Sequence, residues 1–146
     1  MRHIFIMNPK AGKKDQTGRI YAMAESLREK HGLQVECLLT ERPGGAIDMA
    51  RKLAETGEEI RVYACGGDGT VNEVANAAMT CIPIGTGNDF LKNFGPDAAR
   101  FADTENLWDG PQFPLDLIEC NGRDCLTIAC CGIDARVAES VHELGD

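Results

Sequence analysis

Ala64-Cys65-Gly66-Gly67-Asp68-Gly69-Thr70-Val71-Asn72-Glu73-Val74 decides how the rest of the chain is read. It gives the end of a buried strand, a glycine turn and the first turn of a helix, in that order. Gly66, Gly67 and Gly69 let the backbone turn sharply and let a ligand approach it closely. The helix that follows turns unsatisfied N–H groups back on the loop, which makes a ready anion site. Asp68 stands in the middle of that loop. A carboxylate beside a phosphate site serves to hold a metal ion or to take a proton from an attacking hydroxyl. A second corner repeats the pattern: the apolar run Cys81-Ile82-Pro83-Ile84 leads into Gly85-Thr86-Gly87-Asn88-Asp89-Phe90-Leu91. Two such corners predict one ligand held between them, beyond the carboxyl ends of parallel strands.

Outward from these corners, strands and helices alternate. His3–Met7 is an uninterrupted apolar run, suited to a sheet buried on both faces. Ile20, Met23, Ala24 and Leu27 recur at helical spacing and predict an amphipathic helix over residues 16–30, capped by Gly32. His31 falls at its end. Gln34–Thr40 is the second strand, and Ile47, Ala50, Leu53 and Ala54 mark the second helix. Ile60–Cys65 is the third strand. Val71, Val74, Ala75 and Ala78 predict a third helix, with Thr70 and Glu73 placed as a capping box. Cys81–Ile84 is the fourth strand, and a short helix runs from Asn88 to Gly95-Pro96, with Asn88 or Asp89 able to cap it. This order implies right-handed βαβ crossovers and a parallel sheet.

The pattern then changes. Residues 97–107 allow one more short helix, and Trp108–Pro114 reads as a linker. Leu115–Cys120 and Cys125–Cys131 read as strands joined through Asn121-Gly122-Arg123-Asp124, a hairpin signal. The expected division is a nucleotide-binding α/β domain at 1–110, then a linker and the first strands of a truncated β-rich domain at 111–146.

At 146 residues and 43% hydrophobic, the chain is long and apolar enough to build a core. Its net charge of −8 argues against a nucleic-acid binder and against purely electrostatic docking on an anionic membrane. Seven cysteines without a Cys-x-x-Cys pair read as reduced thiols, and neither their spacing nor the histidines suggest zinc. No signal peptide or transmembrane stretch is expected.

Several motifs fail. Asn8-Pro9-Lys10-Ala11-Gly12-Lys13-Lys14 is not a P-loop, because its first glycine would fall at Met7 and no Ser or Thr follows the lysines. It reads as a βα turn with solvated lysines, or as a phosphate or ribose contact. A dinucleotide fingerprint fails at both corners, where Asn72 and Phe90 replace the third small residue.

Asn8-Pro9-x-Ala11-Gly12-Lys13, Gly66-Gly67-Asp68-Gly69-Thr70-x-Asn72-Glu73 and Pro83-x-Gly85-Thr86-Gly87-Asn88-Asp89-Phe90 together resemble the diacylglycerol kinase catalytic domain, shared by bacterial lipid kinases and by sphingosine and ceramide kinases. Leu115-Asp116-Leu117 and Cys131-Gly132-Ile133-Asp134-Ala135 look like the start of that family's second domain. The resemblance implies a Rossmann-like parallel sheet of the NAD kinase/diacylglycerol kinase type and ATP- and Mg2+-dependent transfer of a phosphoryl group to a lipid hydroxyl. It implies that Asn8, Pro9, Lys10, Ala11, Gly12, Thr40, Gly66, Gly67, Asp68, Gly69, Thr70, Val71, Asn72, Thr86, Gly87 and Asn88 line the nucleotide. Glu73 would contact the nucleotide or its ribose besides capping the helix. Asp68 would be the catalytic residue, binding the magnesium–phosphate network or deprotonating the lipid hydroxyl. Asp89 and Asp134 are candidates for the lipid side. The implied setting is cytoplasmic, with transient peripheral association at the membrane surface where the lipid lies, and a homodimer is compatible with it. Bacterial members run to roughly twice this length, and a late Asp-Gly-Glu segment there supplies further acidic groups. This chain has no such segment, so the expectation is weak nucleotide binding with little or no lipid turnover. The alternatives are an NAD kinase-like or other small-molecule kinase, and a non-catalytic nucleotide-binding module.

Overall fold

An unbroken apolar run has to be covered on both faces, and the chain places its first strand accordingly. The computed structural model describes residues 1–75, 77–127 and 129. Arg2–Met7 (β1) is central, with His3 to Met7 all buried. Gln34–Leu39 (β2) lies on one side of it and Ile60–Gly66 (β3) on the other, with Met79–Pro83 (β4) beyond β3. All three pairings are parallel, and the register sets Met7 opposite both Leu39 and Cys65, and Gly66 opposite Pro83. The four carboxyl ends therefore emerge side by side. The chain steps outward from β1 to β2 and returns across β1 to β3. That reversal puts the topological switch between β1 and β3, the place where open α/β sheets take ligands.

Side chains alternate across the strands, so the sheet has two apolar faces. Phe5, Met7, Tyr63 and Cys65 pack with Ile20, Ala24 and Leu27 of the helix Thr17–His31 (α1). Ile4, Ile6, Val62 and Ala64 pack with Ala46 and Ala50 of Gly45–Glu55 (α2) and with Val71 of Asp68–Glu73 (α3). Helices thus cover both faces of a parallel sheet, the α/β architecture expected. Gly32 caps α1 in the left-handed region, its N–H bonding Arg28 O at 3.0 Å.

The elements after β3 differ from expectation. The third helix is only six residues long, although Val74 and Ala75 continue its spacing. Tight turns replace it: Ala75 N–H bonds Asn72 O at 3.3 Å and Ala77 N–H bonds Val74 O at 3.0 Å. The chain is back at the sheet by Ala78, whose carbonyl accepts from Val62 N–H at 3.0 Å. After β4, tight helical turns run over Asp89–Ala102, broken at Gly95 (φ 52°, ψ −126°) just before Pro96, and resume at Thr104–Asn106.

The hairpin is shorter than its sequence suggested. Ile118–Cys120 (β5) pairs antiparallel with Arg123–Cys125 (β6), and Cys120 faces Arg123. Asn121 and Gly122 both take positive φ (53° and 72°), which makes a two-residue turn and starts pairing earlier than a four-residue connection would. Asp134, the segment Cys131–Ala135 and the end of the expected second strand lie outside the described residues. Among the described residues, no helix is long and apolar enough to cross a membrane.

Candidate active site

Four strand ends deliver four corners to one edge of the sheet, and backbone contacts lock the corners together. At the first, Asn8 N–H makes the last rung of the sheet with Cys65 O (2.9 Å), and Ala11 N–H closes the turn on Asn8 O (3.1 Å). The Asn8 side chain accepts from Lys10 N–H at 3.0 Å and reaches Thr70 Oγ1 at 3.5 Å, which spans the β1/β3 crevice. Gly12 stands at φ 77°, and a Cβ there would lie 2.2 Å from Ile84 O, so the first corner rests directly on the fourth. Pro9 and Ala11 are half-buried, and Lys10 is exposed. Thr40 is half-buried beside this corner, its N–H donating to Met7 O at 2.8 Å.

The third and fourth corners meet at their glycines. Ile84 N–H and Gly85 N–H both bond Gly66 O, at 3.2 and 3.3 Å. A Cβ on Gly85 would fall 2.4 Å from Gly67 Cα. Asp68 opens α3, and its Oδ1 accepts from Phe90 N–H at 3.2 Å, so this carboxylate ties the two corners together. Asn88 sits in the left-handed region (φ 54°), and its Nδ2 donates to Gly85 O at 2.8 Å. Asn88 closes its own loop and makes no side-chain cap for the turns that follow. Asp89 is exposed and paired with Lys92. Thr86 and Gly87 are exposed at the rim, as is Gly69.

The capping box does not form. Helix α3 starts at Asp68 with Gly67 before it and no side-chain cap, so Thr70 already lies inside the helix. Glu73, in the last turn, caps a different helix: it accepts from Gly44 N–H at 3.0 Å and Ala46 N–H at 3.1 Å at the start of α2. Gly44 and Gly45 bring no side-chain acceptor to that end, and this deficit was the one sequence signal that a cap must come from elsewhere. Val71 is 5% exposed, with its side chain in the core and its N–H bonded to Gly67 O at 3.1 Å. The Asn72 amide turns away from the corners, to the hairpin: it donates to Asp124 O at 3.4 Å and accepts from Leu126 N–H at 2.8 Å.

Burial keeps the nearby thiols protonated. Cys81 is pushed up to about 12 by desolvation, reinforced by the charge of Asp68, and burial holds Cys65 well above the usual thiol range. Neither is a nucleophile at neutral pH. The enclosed space between Gly66, Asp68, Asn88 and Phe90 is only about 10 Å³, so a ligand would lie over the corners and not inside them. Among the described residues, no three His, Cys, Asp or Glu side chains converge on a metal position. One carboxylate amid backbone N–H groups suits a magnesium ion that arrives with phosphate oxygens, since such ions need only one or two protein carboxylates. Elsewhere, a recess of about 350 Å³ lies between α1 and Thr104–Glu105, lined by none of the glycine-corner residues. Its polar groups are already engaged: Ser26 and Lys30 bond Glu105, as does the neighbouring His31, and Arg19 bonds Ala102 O.

Comparison with known proteins bears on this arrangement. The model of the diacylglycerol kinase catalytic domain matches residues 2–120. A protein of Escherichia fergusonii named "Probable lipid kinase YegS" is 28% identical over 96% of this chain and 49% of its own length. A "Diacylglycerol kinase" of Bacillus subtilis is 30% identical over 85% of this chain and 43% of its own. A crystal structure of a diacylglycerol kinase from Bacillus anthracis superposes with a TM-score of 0.63 at 28% identity, covering 84% of this chain and 47% of the other. The chain spans about half the length of the curated relatives it matches.

Proposed function

We propose, on the premise that this chain belongs to the diacylglycerol kinase catalytic domain family, that it is the nucleotide-binding part of an ATP-dependent lipid kinase acting on the hydroxyl of diacylglycerol or a related lipid. The observation that carries the reading is the position of Asp68. It is the carboxylate at the meeting of the β3 and β4 corners, held on Phe90 N–H across the gap between them. A carboxylate has four lone-pair directions, and this bond uses one.

Phosphoryl transfer depends on positioning and on neutralising phosphate charge, and it needs little covalent chemistry from the protein. The backbone at Gly66–Gly69 and Gly85–Gly87 would receive the phosphates, and Asn8–Gly12, Thr40 and Thr86 would border the rest of the nucleotide. Helix α3 is too short for a large dipole, so the individual N–H groups, not the helix as a whole, would meet the charge. Asp68 would hold magnesium together with phosphate oxygens, or take the proton as the lipid oxygen bonds phosphorus and the bond to the ADP oxygen breaks. ATP supplies the group transferred. The lipid would be met at a membrane surface. A net charge of −8 makes that encounter depend on apolar contact more than on attraction to anionic headgroups.

Calorimetric titration of this chain with Mg-ATP, beside NAD and beside Asp68→Ala, tests the reading. The expected result is ATP binding, no NAD binding, and an affinity about tenfold lower in the variant, equivalent to about 1.4 kcal/mol. Binding of NAD in place of ATP, or ATP binding that ignores Asp68, would overturn it.

A further inference from the structure

The nucleotide reading uses the loop end of α3, and the opposite end of the same helix meets the hairpin. Asn72 Nδ2 donates to Asp124 O and its Oδ1 accepts from Leu126 N–H, across 52 and 54 residues of sequence. These two backbone groups share one edge of the hairpin. The register pairs Arg123 and Cys125 with Cys120 and Ile118 of β5, and backbone polar groups alternate sides along a strand. The carbonyl of Asp124 and the N–H of Leu126 therefore face away from β5. A single side-chain amide stands where the peptide group of a neighbouring strand would otherwise pair. Leu126 also packs against the core cluster that contains Val71 and Val74.

We propose that Asn72 is a positioning residue that couples the hairpin to the nucleotide corner, so that nucleotide binding and hairpin docking strengthen each other. This rests on the nucleotide reading above. Helix α3 is six residues long, with Asp68 at its first position and Asn72 in its last turn. So short a helix moves as one piece, and a shift of Asn72 is a shift of Asp68 and of Thr70, which bonds Asn8. A lone two-stranded hairpin is marginally stable, so its docking equilibrium responds to small free energies. Coupling between two such equilibria is reciprocal by thermodynamic necessity. Asparagine suits the position because it supplies a donor and an acceptor from one planar group. Aspartate would keep the acceptor for Leu126 N–H but set a negative charge against the Asp124 carbonyl.

The test is amide hydrogen exchange of residues 118–126 with and without Mg-ATP, together with the ATP affinity, on the whole chain and on Asn72→Ala, Asn72→Asp and Leu126→Pro. In the unsubstituted chain, saturating Mg-ATP is expected to slow exchange of the hairpin amides at least about threefold. Asn72→Ala is expected to abolish that slowing and to weaken ATP binding about fivefold, the lower end of ordinary coupling factors. Asn72→Asp is expected to fall between the two. Leu126→Pro removes both the donor and the apolar side chain from the hairpin side, with the residues of the glycine loop unchanged. It should weaken ATP binding at least as much as Asn72→Ala, the double variant should lose no more than Leu126→Pro alone, and it carries the test if Asn72→Ala fails to fold. ATP binding that leaves hairpin exchange unchanged, or an Asn72→Ala chain that binds ATP as tightly as the original, overturns the coupling and leaves the nucleotide reading standing. Failure of the unsubstituted chain to bind ATP overturns both.

Discussion

A methyl group at Gly85 would lie 2.4 Å from Gly67 Cα, and one at Gly12 would lie 2.2 Å from Ile84 O. In each case the obstacle is backbone, which cannot swing aside as a side chain can. Gly12 carries the further cost of a positive φ, 77°. Gly85→Ala and Gly12→Ala are each expected to lower stability by about 1–3 kcal/mol, the usual cost of overpacking, and, on the proposed function, to weaken ATP binding because the corners must part. Gly18→Ala is the matched control: nothing lies within 4 Å of its added methyl group, and it sits in the first turn of α1. Alanine there should leave stability unchanged or raise it by up to about 1 kcal/mol. Urea unfolding of the three variants checks the ordering, and a Gly85→Ala chain as stable as Gly18→Ala would refute the close approach. The glycine spacing announced both corners in the sequence. It could not say that Gly12 packs on Ile84 or that Gly85 packs on Gly67, because those contacts join residues brought together only by the sheet order.

At the scale of elements, Glu73 joins α3 to α2. Its carboxylate serves two N–H groups, Gly44 and Ala46, at a helix start that has no side-chain cap of its own. Glu73→Ala should therefore cost about 1–2 kcal/mol, as loss of a helix cap does. Exchange of the Ala46 amide should rise more than that of residues in α1. Glu73→Gln, which keeps an acceptor without the charge, should lose less. Equal exchange at Ala46 in both variants and the original would dismiss the cap. This element also shows where reading from sequence stops. The strands and α1 were legible because their periodicity is local and strong, from the apolar run at His3–Met7 to the spacing of Ile20, Ala24 and Leu27. The Thr70/Glu73 capping box was a sound local reading, but it lost to geometry. Helix α3 starts at Asp68, inside the glycine loop, and that start sends Glu73 to a neighbouring helix. Asn72 and Asp68 follow the same rule: each engages a segment distant in sequence, and no local pattern announces such a partner.

At the scale of the whole molecule, the sheet carries its glycine corners at one end and its acid-sensitive groups at the other. His3 is buried near the amino-terminal end of β1, 2% exposed, with Nδ1 2.8 Å from the Tyr63 hydroxyl. Burial lowers its pKa first, and the charges of Arg61 and the chain terminus lower it further. Arg61 is itself fixed, holding Leu107 O at 2.5 Å and Gly110 O at 2.7 Å, so the charge beside His3 cannot move away. Glu105 belongs to the same end, where His31 stacks on Trp108 and bonds the Glu105 carboxylate. That bond, with those from Ser26 and Lys30, holds Glu105 down at about 2. Both shifts act in the same direction on stability. The unfolded chain takes up each proton at the ordinary pKa, while the folded chain resists until a lower pH, so acid favours unfolding through both groups. The first window opens as pH falls through the ordinary histidine value of 6.5 and closes at the lowered value of folded His3. One proton gives it a slope of at most about 1.4 kcal/mol per pH unit. The second runs from the ordinary glutamate value of 4.5 down to about 2. Urea unfolding measured at closely spaced pH, on the original chain and on two variants, should separate the two contributions. His3→Gln should flatten the upper window and leave the lower, and Glu105→Gln should do the reverse. If His3→Gln leaves the upper slope intact, the loss of stability there comes from another group, and a buried neutral His3 is not what the fold protects.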